Sequence, residues 1–311
     1  MQYEQDSGKF AAGGTLPYSR CCKQAHPIRR GRDTIMGRRT VSDKRRAFRE
    51  LHTAGCFVIP NPWDAGSAVA LEGLGFKALA TTSSGHAWSC AKADGQLSRA
   101  EALDYMRRMV EATDLPINAD FEGGFADTAA GVGESVRLAV ATGVAGISIE
   151  DSTGDAADPL RGLPEAVARM RAARAAIDEL GGDTLLIGRA ENFFVGRPDL
   201  DDTLRRLRAY ADAGADCLYA PGLRTREHIA AVVAAVAPRP VNVLIGWATD
   251  LTVQDLAALG VRRVSVGGGL ARAAWGGFLD AARAIAQDGR FDRFADATPG
   301  AELNALFAPK T

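Results

Sequence analysis

An excess of charge of one sign is missing from this chain: 38 acidic side chains face 37 basic ones over 311 residues. That balance argues against a general nucleic-acid binder, whose phosphate contacts call for a basic surplus. Long apolar runs are missing as well, and none reaches the roughly 20 residues that span a bilayer. Cysteine is sparse. Cys21, Cys22, Cys56, Cys90 and Cys217 are odd in number and scattered, so neither a disulfide framework nor a zinc site is indicated. A reducing cytoplasm is the expected compartment. Residues 1–35 lack both apolar periodicity and a secretory h-region. They are expected to be a disordered extension, or a translated leader ahead of a start at Met36.

What is present is a recurring layout. "LEGLGFKALAT", "AVATGVAGISI", "YADAGADCLYA" and "LAALGVRRVSV" each carry a helix-like stretch closed by a glycine (Gly75, Gly143, Gly214, Gly260), then a short β-rich run. Glycine supplies the left-handed residue that ends a helix. Further strand candidates are "CFVIP", "LPINAD", "LLIGRA" and "VNVLI". Together they predict eight strands near 56–59, 78–82, 117–120, 146–150, 185–189, 217–220, 241–244 and 263–266. Helices lie between them, the clearest over 98–113, where Ser98 and Glu101 make a capping-box pattern. Another opens at Pro164 and closes at Gly181-Gly182. Eight alternating units over roughly 230 residues fit a closed (β/α)8 barrel of the TIM type. An open doubly wound sheet is the alternative, but no GxGxxG follows the first strand. Residues 40–311 are expected to form this one domain, with extra C-terminal helices from about Gly289 packed outside the barrel.

Barrel active sites form at the C-terminal ends of the strands, and the polar residues of this chain collect there. Strand 2 runs into "TTSSGHAW", strand 3 ends in Asp120 and Glu122, strand 4 in Glu150 and Asp151, and strand 5 in Arg189 and Glu191, while strand 7 contains Asn242. Side chains two apart share a strand face. Asn118 and Asp120 do so, and Glu122 joins them if the strand continues. Carboxylates converging this way repel one another, and a hard divalent cation relieves the repulsion. Mg2+ is the expected ion and Mn2+ the alternative. The competing reading is structural pairing of these acids with arginines. Ser83, Ser84 and Gly85 read as a turn that could present donors to an anion, and Arg189 needs a carboxylate partner from the protein or a substrate. The "SVGGGLARAA" turn is read first as close helix packing and second as a phosphate site. His86 reads as a loop residue rather than a base.

The motifs "NPWDAGSA", "TTSSG", "ADFEGG", "SIEDS", "GRAEN" and "PVNVL" come in the order and spacing of the isocitrate lyase/phosphoenolpyruvate mutase superfamily, which the chain resembles over about residues 45–285. The resemblance implies a barrel, often tetrameric with its last helix swapped between subunits. It implies Mg2+ and a 2-oxo or 2-hydroxy acid substrate cleaved through an enolate. On the matching positions, Asp120 would be the principal metal carboxylate, with Glu122 and Glu150 holding the metal's waters. Ser83, Ser84 and Gly85 would grip the substrate carboxylate, Asp94 would be the acid after the second strand, and Arg189 would neutralise substrate charge. The chain departs from the pattern after strand 4: "EDSTGDAADPLRGLPE" has no Cys, Lys or His, so neither the lyase nor the phosphonomutase version of that loop is present. The lyase Glu after strand 6 is replaced by "APGL". The expectation is a Mg2+-dependent lyase cleaving or decarboxylating a small oxyacid, in a homotetramer. Its alternatives are phosphonopyruvate-type P–C chemistry, a silent metal- and oxyacid-binding barrel, and a phosphate-gripping isomerase.

Overall fold

The computed structural model describes residues 38–308. The expected extension over 1–35 lies outside them. The strands are β1 Phe57–Ile59, β2 Leu79–Ala80, β3 Ile117–Asp120, β4 Gly146–Glu150, β5 Leu185–Arg189, β6 Cys217–Tyr219, β7 Val241–Leu244 and β8 Arg263–Ser265. All are parallel, in the order β1-β8-β7-β6-β5-β4-β3-β2. The Ala80 N–H donates to the Pro60 carbonyl at 3.0 Å, which bridges the remaining seam. The fold is the expected (β/α)8 barrel.

The two faces of each strand bury different partners, as a period of two requires. Leu186, Leu218, Val243 and Val264 join the large core under the outer helices. Ile59, Leu185, Ile187, Cys217 and Tyr219 form a second cluster inside the barrel. Phe48, fully buried on the helix Val41–Leu51, belongs to that inner cluster, so this helix plugs the end of the barrel opposite the site. Gly188 shows why the outer face must stay small: a Cβ there would sit 2.8 Å from the Tyr210 Cβ.

The helix expected over 98–113 spans Arg99–Ala112 and carries the Ser98–Glu101 capping box. That opening with Pro164 spans Leu163–Glu179. A 3-10 turn at Asp292–Asp296 and the helix Gly300–Phe307 follow the barrel, and Phe307 and Leu306 lie against Gly66 and Gly73 on its outside. Strand 2 is shorter than expected. Thr82 leaves the sheet to cap the helix Ser83–Ser89, so Ser83-Ser84-Gly85 is the first turn of a helix and not a loop turn.

Candidate active site

A cavity of about 650 Å3 opens at the C-terminal ends of the strands, within the size range of small-molecule sites. Asp120 lies at its wall and is held from three sides. Its N–H donates to the Thr81 hydroxyl at 2.8 Å. Its Oδ2 accepts from the Ser83 N–H at 3.1 Å and from the Ser83 hydroxyl at 3.0 Å. Its Oδ1 accepts from Arg189 Nη1 at 3.1 Å. Such a carboxylate is oriented before any ligand arrives.

Arg189 meets more than one partner. Nη1 also lies 3.1 Å from Glu150, and Nε pairs with Glu191. The guanidinium carbon sits 5.2 Å from the centre of the Tyr219 ring and 6.0 Å from that of Phe194, within cation–π range. Burial alone would lower its pKa, but Glu150 and Glu191 hold it well above the ordinary value. Beyond these pairs sits a further network. Asp151 accepts from the Glu191 N–H at 2.8 Å, from Arg206 at 3.0 Å and from the Tyr210 hydroxyl at 2.5 Å, fixing the Glu191 backbone from behind.

Asp94, Asp120, Glu122, Glu150 and Glu191 all interact electrostatically with Arg189, so carboxylates outnumber this guanidinium. Burial, then Asp120 and Asp94, push Glu122 up to about 7. Burial and then Asp120 raise Asp94, and burial raises Glu150 in spite of Arg189. The Glu122 Oε1 is buried without a hydrogen-bond partner. An orphaned carboxylate oxygen amid surplus negative charge fits the binding of a cation.

The structure brings most of the expected residues together, with corrections. Asp120, Asp94, Arg189, Ser83, Ser84 and Asn242 line the cavity, whereas Glu122, Glu150 and Gly85 are not part of its wall. Glu122 does not continue the strand face. β3 ends at Asp120, and Glu122 adopts a left-handed φ of 46° in the following turn, reaching the acidic cluster by that bend. Among the described residues no three His, Cys, Asp or Glu side chains are placed to hold one ion directly. Asp120, Glu122 and Glu150 are therefore not a direct three-carboxylate ligand set, and the arrangement suits one direct carboxylate with others acting through water. Gly85 spends its N–H on the Thr82 cap, as a helix start requires. His86 stacks on Tyr105 with ring centres 3.9 Å apart and does not line the cavity, though Trp88 does. Close packing accounts for the glycine run: a Cβ on Gly268 would lie 3.0 Å from Ser84 Oγ and 3.1 Å from Trp88.

Two features escaped the sequence reading. Asn61 donates to the Thr81 carbonyl at 2.9 Å and accepts from the N–H groups of Val266 and Gly267, both at 2.9 Å, tying the ends of β1, β2 and β8. Its place in "NPWDAGSA", just past β1, was the available signal. The cavity also has a polar inner end formed by Asn118, Ser148, Asn242, Arg263 and Ser265. The loop after β4 is pinned by an antiparallel bridge between Ser152 and Leu160.

The profile of the phosphoenolpyruvate phosphomutase family matches residues 48–286. A Burkholderia cenocepacia J2315 structure, provisionally assigned as a lyase/mutase, is 49% identical with a TM-score of 0.84, covering 86% of this chain and 98% of that one. The oxaloacetate decarboxylase of Bradyrhizobium sp. (strain ORS 278) is 32% identical over 214 residues, 66% of this chain and 70% of that one. A phosphonopyruvate hydrolase solved with oxalate and Mg2+ is 28% identical with a TM-score of 0.75, covering 85% of this chain and 94% of that one. With the barrel, the acid-rich strand ends and this match agreeing, the chain belongs to the phosphoenolpyruvate phosphomutase family of the isocitrate lyase/phosphoenolpyruvate mutase superfamily.

Proposed function

We propose that the chain is a Mg2+-dependent lyase that breaks a C–C bond, foremost by decarboxylation, in a small 2-oxo or 2-hydroxy acid, leaving an enolate. The observation that carries this reading is Asp120, oriented by Thr81, Ser83 and Arg189 beside a buried Glu122 oxygen with no partner. Asp120 would hold the ion, with Glu122, Glu150 and Asp94 around it. Bound there, Mg2+ (or Mn2+) supplies Lewis-acid polarisation of the substrate carbonyl.

The chain's own residues do the rest. Arg189 keeps Asp120 and Glu150 in register and adds fixed positive potential where negative charge builds. Tyr219 and Phe194 cover its guanidinium and keep water from it. The Ser84 hydroxyl and Asn242 line the space where the acid would lie. The loop after β4 offers no Cys, Lys or His. An aldol-type cleavage needs a base to take the substrate hydroxyl proton. Loss of CO2 from a 3-carboxylate needs none: the C–C electron pair becomes the enolate, which takes one proton from water. The similarity to an oxaloacetate decarboxylase supports the same choice. P–C cleavage is the second reading, favoured by the similarity to a phosphonopyruvate hydrolase.

A homotetramer is part of this proposal. Trp275, Phe278, Leu279 and Ile285 on the helix Gly269–Asp288 are solvent-exposed in the single chain, as are Phe291 and Phe294 beyond it. An apolar face of that kind calls for a cover. The test is turnover of oxaloacetate and phosphonopyruvate by the species isolated by size exclusion, expected at tetramer mass, with Mg2+, with EDTA and as Asp120→Ala. Metal-dependent turnover is expected to fall by at least about 10^3-fold in Asp120→Ala. Turnover indifferent to both EDTA and the substitution would refute the metal site.

A further inference from the structure

One buried side chain outside the cavity holds the turn that carries Glu122. β3 ends at Asp120, and before the helix Ala129–Ala141 begins, Glu122, Gly124 and Phe125 take φ values of 46°, 85° and 50°. Glycine adopts that left-handed conformation freely, but in Glu122 and Phe125 the Cβ crowds the backbone. Such residues persist where their surroundings over-determine them. Here the Glu150 N–H donates to the Glu122 carbonyl at 3.0 Å and ties the turn to the end of β4. From the other side comes Arg169, on the helix Leu163–Glu179. Its Nη2 donates to the carbonyls of Gly123 at 2.7 Å and Ala126 at 2.6 Å, and its Nη1 to that of Asp127 at 3.1 Å.

Arg169 is 1% exposed, and a charge so far from water is costly unless it is paired. Its carboxylate neighbour Glu165 is itself half exposed and 3.8 Å away, beyond hydrogen-bond reach. Three carbonyls of one turn take the place of a close counter-ion. A planar guanidinium meets several acceptors at once from fixed directions, which the single nitrogen of a lysine cannot match. The two carboxylates of this turn differ in how they are held. Asp120 is fixed through its side chain by Ser83 and Arg189. Among the described residues no hydrogen bond or ion pair holds the Glu122 carboxylate, and its Oε1 is buried. The direction of Glu122 is therefore set by its backbone, and its backbone by the contacts on the turn.

We propose that Arg169 is a positioning residue for the metal site. It does not line the cavity. By clamping the turn 123–127 from behind, it holds Glu122 where its carboxylate would meet the waters of an ion at Asp120. The inference rests on the metal reading of the site. Loss of the clamp would weaken a divalent cation through Glu122 alone, because the bonds that orient Asp120 come from other elements.

Mn2+ binding, read from the EPR signal of the free ion, tests this on the full chain as native protein, Glu122→Gln, Arg169→Met and the double variant. Glu122→Gln and Arg169→Met are each expected to weaken binding by about 10-fold, as groups that act on a metal through other atoms do. The double variant is expected to stay within about two-fold of Glu122→Gln, because Arg169 then has no carboxylate left to position. A merely structural clamp would lower the melting temperature and leave the affinity alone. An Arg169→Met affinity within about two-fold of native, a native-like affinity in Glu122→Gln, or losses that multiply in the double variant would overturn the role of Arg169 and leave the metal site standing. If melting shows Arg169→Met to be unfolded, Arg169→Lys enters the same cycle. It keeps the charge but not the fork and is expected to lose about three-fold, and a native-like affinity there would again overturn the role. Absence of Mn2+ binding to the native protein would sink the metal reading itself, and this inference with it.

Discussion

Of the three arginines that line the cavity, Arg189 and Arg263 are shielded from water, and their neighbourhoods are opposite. On the β3–β5 side Arg189 is crowded by Asp120, Glu150 and Glu191. On the β7–β8 side Arg263 donates to the neutral amide oxygens of Asn242 and Asn118, and among the described residues no carboxylate pairs with it. The same side chain therefore plays two parts. The first is a counter-ion that lets acids gather without fully repelling one another, and the gathered acids still have a surplus that suits a cation. The second is a positive charge whose hydrogen-bond partners are neutral amides. The difference teaches that an arginine's role in a site is read from the carboxylate count around it, not from its burial, since both are shielded from water.

The contrast can be broken most forcefully on the acidic side. Arg189→Met removes the cation that pairs with Glu150 and Glu191 and is expected to cost about 3–5 kcal/mol of stability, because buried charges are left unpaired. Urea denaturation measures this, and a loss below about 1 kcal/mol would mean the acids are effectively solvated. The next effect is on the neutral side. Gly146→Ala drives a methyl into Asn118 and Phe48, with an expected loss of about 1–3 kcal/mol from overpacking. An unchanged melting temperature there would show that the polar layer is loose. The smallest effect reads the field of Arg263 directly. Burial, then Arg263, lowers the His52 pKa to about 3. Below the unfolded value of 6.5 the unfolded chain binds a proton that the folded chain refuses. His52 thus contributes stability above that pH that is lost as pH falls from 6.5 toward 3. Arg263→Gln is expected to move the imidazole titration upward in NMR, and an unmoved titration would mean that Arg263 projects no field to the barrel floor.

The fold was largely legible because its signals are local. A glycine closing a helix before each of four strands and a capping box at Ser98 need only a few neighbouring residues. Asp120 and Arg189 were legible because they end strands that a period of two aims inward. Glu122 was placed on the wrong path, since the strand argument assumed an extended backbone where a left-handed residue bends the chain. In "FEGG" Gly124 takes a left-handed φ of 85°, and Glu122 takes one as well. Ser83-Ser84-Gly85 was read as a turn although Thr82 stood in the N-cap position, because glycine in a first turn weakens the helical signal. Arg263 could not be singled out. "VRRVSV" holds adjacent arginines on opposite strand faces, and the partner Asn118 lies 145 residues away.

Asn61 joins residues more than 200 positions apart, since its Oδ1 accepts from the Gly267 N–H in the last barrel turn. Chain growth from the ribosome therefore delivers the first strand long before its neighbour. Until β8 emerges, β1 keeps an open edge and the Asn61 Oδ1 lacks the two N–H donors that seat it. The seam on which the cavity depends is thus the last thing made, and the time between first and last strand is when an unpaired edge is exposed to mispairing.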